Sequence, residues 1–455
     1  MRIFLRWLAG FLLVCMPAAG ALADQYHYNN VLIGDRAQGL GGAFTALGDD
    51  ASGVFYNPAG LGFALSNDIS GSGNAFYSRK VTYKKAVGDA DFIEKSDGSM
   101  APFLGGLQKL DKISPGLVFA FGILTKDSEL KDQDDNIIAA DIGALRFHRT
   151  ANLRAETGGF SAAIAKRISS SFSVGMVLSY YTISELTQEY QDALQVYAEP
   201  GTAVQATDAN GNGVFRLLTQ NIRQKLDASI IEIGLGSQWA LSHRLAVGIT
   251  LKIPTIMSES YEYGIERTIN YTVGNGDNLG SGTPATDYTG SDGTQGNIVY
   301  RTVADQLKEE KPLGSMPLET RIGLAYFATT RLLLTMDVVN YGEAKGDLEL
   351  YEREPVTNFA LGSEFYVTPP FPIRLGLFTN NDARPEIDKN KSGQRDHIDY
   401  TGVSLFFAWV QPNSQIALGG VMQQGKGEAQ KLGDATVQDV EAVSTTVAFS
   451  ATHNF

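Results

Sequence analysis

The stretch 245-LAVGITLKI-253 alternates without a break: Leu245, Val247, Ile249, Leu251 and Ile253 fall on one face of an extended chain, and Ala246, Gly248, Thr250 and Lys252 on the other. Successive side chains of a strand point to opposite faces, so one face suits hydrocarbon and the other water. The same division recurs in 172-FSVGMVLSY-180, 332-LLLTMDVV-339, 401-TGVSLFFAW-409 and 443-VSTTVAFSATHNF-455. A soluble two-sheet sandwich alternates in the same way, so connection lengths must decide between sandwich and membrane barrel.

Those lengths are asymmetric. Short turns stand at 168-ISSS-171, 241-LSH-243, 328-ATT-330, 367-VTPP-370 and 411-QPNS-414, whereas polar Asp/Gly/Asn-rich connections occupy 81–97, 125–149, 189–216, 271–295, 381–396 and 427–438. Short and long alternate along the chain, as in an outer-membrane barrel with brief periplasmic turns and long extracellular loops. Strands running outward are expected at 69–80, 114–124, 171–188, 244–270, 331–348, 371–380 and 415–426. Strands running back are expected at 99–108, 150–167, 217–240, 296–327, 354–366, 397–410 and 440–455, which makes an all-β barrel of about 14 strands. The weakest of these are 99–108 and the outer half of 296–327, where KEEKP interrupts the pattern, and Gly158-Gly159 suggests a bulge.

Composition agrees with an exported barrel. Residues 1–23 carry Arg2 and Arg6, an apolar run, and Ala21-Leu22-Ala23 before Asp24, the pattern of a secretory signal peptide. Cys15, the single cysteine, lies within it, which leaves the mature chain without thiol chemistry. Fifty acids against 37 bases argue against nucleic-acid binding. After the signal no apolar run approaches the roughly 20 residues a membrane helix needs, so a membrane-spanning form is a closed barrel.

Between signal and barrel lies 34-GDRAQGLGGAFTALGDDASGVFYNPAGLGFA-64, with eight glycines. Its 39-GLGGAF-44 lacks the preceding strand and βαβ unit of a dinucleotide loop. The glycines suit tight backbone folding instead. Asp49-Asp50-Ala51-Ser52 suits a helix start, and Pro58 biases Asn57 away from helix.

Other constellations carry less chemistry. The run 208-DANGNG-213 has the first half of an EF-hand loop but Thr219 at its twelfth position, and 132-DQDDN-136 reads as solvated loop acids rather than a cation site. Neither metal nor cofactor is implied. His27, His148, His243, His397 and His453 are scattered and G-x-S-x-G is absent, so an enzyme is not expected. Strand parity points Glu232, Lys252, Arg321, Asp337 and Arg374 inward, either as an ion-pair lattice or as contacts to an anionic headgroup.

The segment 34–64 resembles the N-terminal plug of the FadL/TodX family of outer-membrane transporters for long-chain fatty acids and other hydrophobic compounds. The matching phrases are Gly39-Leu40-Gly41-Gly42-Ala43-Phe44, Asp49 to Ser52, and Asn57-Pro58-Ala59. Further phrases similar to the family are 99-SMAPFLGGL-107, 317-PLETRIGLAYFATTRLLLTMDVVNY-341 and 373-IRLGLF-378, and the terminal Phe455 resembles a barrel assembly signal. Residues 114–128 lack the phrase that usually closes the family's third strand.

The resemblance implies a plug at 24–66 inside a barrel at 67–455, with passive passage of a hydrophobic permeant through a lumenal pocket and out sideways where the third strand kinks. On this chain Pro115, Gly116 and Gly122 are the places where a kink is affordable. Phe103, Leu117, Phe119, Phe121 and Leu124 stand as pocket or exit candidates, or as ordinary lipid-facing and plug-packing residues. The expected protein is a monomeric barrel in contact with outer-membrane lipid and lipopolysaccharide. The alternative is a scaffold barrel of the same architecture, for example of a secretion machine, with no small-molecule permeant.

Overall fold

The computed structural model describes residues 26–87, 89–139, 145–196, 215–273, 297–309, 311–348, 351–391, 394–431 and 437–455. Residues 1–23, expected to be a signal peptide, and 208-DANGNG-213 lie outside them. Fifteen strand segments form one antiparallel sheet: β1 (Asp68–Val87), β2 (Ala90–Lys109), β3 (Leu117–Ala139), β4 (Leu145–Arg167), β5 (Phe172–Val196), β6 (Phe215–Ser242), β7 (Leu245–Val273), β8 (Asn297–Glu309), β9 (Glu319–Phe327), β10 (Leu332–Tyr341), β11 (Val356–Thr368), β12 (Phe371–Asn380), β13 (His397–Gln411), β14 (Ser414–Ala429) and β15 (Gln438–Asn454). Sequence neighbours pair, except that β8 and β9 both pair with β7 rather than with each other; β1 pairs with β15, and the ring closes.

The outer half of β7 pairs with β8 and its inner half with β9. These two are halves of one strand position, separated by the non-strand residues 311–318, so the ring has fourteen positions. Closure gives every strand position a paired neighbour on both sides, as a sheet in hydrocarbon requires.

The alternation read from sequence is the burial pattern. Ala246, Thr250 and Lys252 face inward on β7, while Ile249 and Ile253 face out. Val403, Leu405, Phe407 and Trp409 do the same on β13, and Val447, Phe449 and Phe455 at the chain's end. No helix among the described residues is long and apolar enough to cross a membrane.

Several polar connections prove to be strand. Most of 81–97 is the β1–β2 hairpin, and much of 125–149 and 189–216 belongs to β3, β4, β5 and β6. The physical reason is visible on β5, whose outward residues change from Val174, Met176, Leu178 and Tyr180 to Thr182 and Ser184. Polarity there marks the end of the hydrocarbon band, and the ladder continues into water. The wall is therefore tall across β3 to β7, at 23 to 29 residues a strand, and low across β9 to β12, at 9 to 13. About 9–11 residues are enough to span.

The expected bulge at Gly158-Gly159 lies on the neighbouring strand. β4 pairs with β5 in unbroken register from Leu145 to Arg167. Against β3, Gly158 faces Thr125 and Thr157 faces Asp127, which leaves Lys126 as the extra residue. Burial parity on β3 switches there, from Val118, Ala120 and Leu124 to Asp127, Glu129 and Gln133, as one inserted residue requires.

Candidate functional site

Residues 26–64 lie within the ring and touch strands on every side. The segment has two short helices, α1 (Asp35–Gly39) and α2 (Gly53–Tyr56), and a 3-10 turn at Gly60–Phe63. Its Ile33, Leu40, Phe44, Val54 and Leu61 form one buried cluster with Phe103, Val118, Leu124 and Val177 of the wall.

The Asn57-Pro58-Ala59 turn is seated by wall glycines. A Cβ on Gly236 would lie 2.2 Å from Asn57 Oδ1, and one on Gly175 2.5 Å from the Pro58 carbonyl carbon. Asn57 Nδ2 donates to the carbonyls of Thr45 (2.8 Å) and Ser237 (3.2 Å), and its Oδ1 accepts from Ala59 N–H (3.0 Å). Its backbone is extended, as the following proline demands. Gly41, at φ 64°, lies against Gly376, where its own Cβ would come within 3.1 Å of the wall backbone. Gly42 shares the positive φ, and Gly39 leaves room for Arg374.

The inward charges divide between two places. At the first, Arg374 pairs with Glu364 (2.7 Å) and Asp35 (3.2 Å), and Arg36 bridges Glu364 (2.8 Å) to Asp49 (3.3 Å). Nearby, Asp337 accepts the backbone N–H groups of Phe44 (3.1 Å) and Thr45 (2.9 Å). Asp50 accepts from Ser52 N (2.8 Å) and Oγ (2.5 Å) ahead of α2. Burial, and then the charge of Asp49, push the Asp50 carboxyl up to about 6 against these hydrogen bonds.

At the second place, Lys126 pairs with Glu232 (3.3 Å) and lies 3.6 Å from the Tyr181 ring centroid. Lys252 pairs with Glu319 (2.8 Å) and lies 4.1 Å from the ring centroid of Phe55. Arg321 binds Glu319 and the Tyr341 hydroxyl (3.2 Å). Lys126 continues the inward phase of Val118, Ala120 and Leu124, and the bulge then turns Asp127 inward beside it.

Beside this second cluster is a cavity of about 110 Å³, walled by Val31, Phe55, Ile183, Ile230, Pro254 and Met316 with Lys126, Asp127, Glu232 and Glu319 among its polar residues. Two irregularities meet in it: the β3 bulge supplies Lys126 and Asp127, and the break between β8 and β9 supplies Met316 and Pro317.

The wall is also irregular outside this cavity. β2 and β3 pair only from Lys109 opposite Val118 to Phe103 opposite Leu124. The next residue of β2 is Pro102, which has no N–H to extend a ladder. Farther out the two strands are joined by side chains: Lys131 to Glu94 (2.8 Å), and Ser96 Oγ to the Leu130 carbonyl (2.7 Å).

The eight residues marked from sequence fall in three places. Pro115 and Gly116 lie in the turn before β3, Gly116 at φ 75°. Phe119 and Phe121 point outward, and Leu117 is half-buried at the strand's start. Phe103, Gly122 and Leu124 face inward, where a Cβ on Gly122 would meet Val54 at 2.9 Å and Phe103 at 3.1 Å. None of the eight is among the cavity's lining residues. Sequence reading missed Lys126, which has the inward parity of the third strand but lies two residues beyond its expected end. It also missed Glu319 and Glu364, which parity alone marks: Glu319 precedes Arg321 by two residues, and Glu364 faces Arg374 in register.

No family model matches the sequence, and no curated protein matches it at the sequence level. Solved structures do match. A FadL homologue from Pseudomonas aeruginosa superposes with a TM-score of 0.58 at 13% identity, over 96% of this chain and 100% of its own. The toluene transporter TodX of P. putida gives 0.54 at 12%, over 93% and 98%. The toluene transporter TbuX of Ralstonia pickettii gives 0.52 at 11%, over 94% and 99%. At these identities the likeness is one of fold. The molecule is a closed β-barrel with the fold of the FadL homologue and TodX.

Proposed function

We propose that this barrel passes small, neutral, hydrophobic molecules across the outer membrane. The permeant is held in the cavity beside the β3 bulge and leaves toward the bilayer where the β2–β3 ladder stops. Residues 26–64 act as the plug that closes the lumen to water and polar solutes. The driving force is partitioning from water into hydrocarbon, and a sideways exit spares an apolar solute a second passage through water.

The observation that carries this reading is the cavity itself. It opens where the third strand departs from regular pairing, and it is bounded by the segment that leads into β9 after the break. The structural relatives named as toluene transporters support the same class of permeant.

Size and charge favour a single ring over a fatty acid. A dry apolar cavity of about 150 Å³ accommodates benzene, and this one is about 110 Å³. Lys126 is committed to Glu232, and Lys252 and Arg321 to Glu319. A carboxylate would meet Asp127, Glu232 and Glu319, and would compete with those acids for the cluster's cations.

Replacement of Ile230 by Trp tests the assignment. Filling the cavity should reduce toluene binding by the purified barrel to background, while the barrel keeps its β-sheet circular dichroism. Undiminished binding by a folded I230W variant would rule out this cavity as the site.

A further inference from the structure

The short-turn rim of the barrel carries charge opposite to that of the whole chain. The protein has a formal charge of -13. Yet the turns at 109–116, 166–171, 241–244 and 328–331 hold Lys109, Lys112, Lys166, Arg167, Arg244 and Arg331 with a single acid, Asp111. The remaining short turns, 368–371 and 411–414, hold no charged residue. The basic residues therefore form an arc under β2 to β10.

The arc is continuous. Hydrogen bonds tie each turn to the next: Arg167 N to the Gly116 carbonyl (2.9 Å), Ala240 N to that of Ser171 (2.8 Å), and Phe327 N to that of Arg244 (2.8 Å). Lys166 and Arg167 spend their donors on hydroxyl and carbonyl oxygens of the turns, so their charge is not neutralised. Lys112, Arg244 and Arg331 are exposed and make no side-chain hydrogen bond or ion pair among the described residues.

Each of these turns also presents a large apolar side chain to the outside. Ile113 is 75% exposed, Ile168 58%, Leu241 62% and Phe327 38%. They stand within four residues of Lys112, Arg167, Arg244 and Arg331 respectively. An outward aliphatic or aromatic group beside a cation is the arrangement of a membrane-interface residue pair: the apolar part enters the acyl region while the charge stays at headgroup level.

We infer that this arc is a binding collar for anionic phospholipid of the leaflet on the short-turn side. The cations meet lipid phosphates and the apolar residues meet the acyl chains. An acidic soluble partner would satisfy the charges, but it would give the outward Ile113, Ile168 and Leu241 no role. The inference rests on the barrel's orientation in the membrane and is independent of what the barrel transports.

The test uses the purified full chain, exchanged into an equimolar mixture of phosphatidylglycerol and phosphatidylcholine, with retained lipid counted by native mass spectrometry. Phosphatidylglycerol should be enriched over phosphatidylcholine, and added salt should weaken the enrichment. A Lys112→Gln/Arg244→Gln/Arg331→Gln variant should lower phosphatidylglycerol affinity, by up to about fivefold for each charge removed. Its fold is checked by circular dichroism, and its toluene uptake should stay at the wild-type level. Equal retention of the two lipids by the wild type, or enrichment untouched in the folded triple variant, would overturn the collar.

Discussion

Asp50 is the residue whose ionisation couples most directly to the seating of the inner segment. Its carboxyl is raised from 3.8 to about 6 by burial and by Asp49, so it binds a proton more tightly folded than unfolded. The stability it contributes is present below about 4 and is lost as pH rises to about 6, because the unfolded chain releases the proton first. Asp50→Asn should therefore raise the thermal midpoint at pH 8, by the equivalent of about 1 kcal/mol after allowance for partial exposure. It should have little effect at pH 4. A melting comparison at the two pH values checks this; equal effects at both would mean that the carboxyl is not strained. At this scale parity pointed Glu232, Lys252, Arg321, Asp337 and Arg374 inward, and all five are buried. It did not show their partners, which come from strands and segments hundreds of residues away, as with Arg374 and Asp35.

β3 is the element on which the proposed route depends. Its register with β4 slips by one residue at Lys126, and its ladder with β2 ends at Leu124. Deletion of Lys126 should restore continuous pairing with β4, with Asp127 still inward opposite Thr157, and should remove the cation that pairs with Glu232 beside the cavity. Toluene uptake should then fall toward that of cells lacking the barrel, with the amount of heat-modifiable folded protein in the outer membrane unchanged. Wild-type uptake in that variant would move the exit elsewhere. A bulge is hard to read from one sequence because it costs a single residue of phase. Leu153 and Phe160 are apolar residues of opposite parity on either side of Gly158-Gly159, and on sequence alone that pattern mimics a slip on β4. In the structure Leu153 points inward above the hydrocarbon band and Phe160 outward within it, on one unbroken strand. The break between β8 and β9 was legible, since KEEKP and the prolines that follow cannot sustain a ladder.

At the scale of the whole molecule, an antiparallel ring of fourteen positions encloses a buried segment of the same chain. Number, order and direction of the strands were legible because lipid on one side and a filled lumen on the other impose a period of two wherever the wall meets hydrocarbon. The height of the wall was not, since strands standing above the membrane have water on their outer face and lose that period. The tall side from β3 to β7 and the low side from β9 to β12 are a consequence of the structure that composition alone disguised as loops.

The central claim, that the barrel conducts small neutral hydrophobic molecules, is tested most directly by uptake of labelled toluene and labelled oleate. Cells that lack the protein should be compared with the same cells carrying it. Toluene entry should depend on the protein and oleate entry should not; protein-dependent oleate uptake, or toluene uptake indifferent to its presence, would contradict the account.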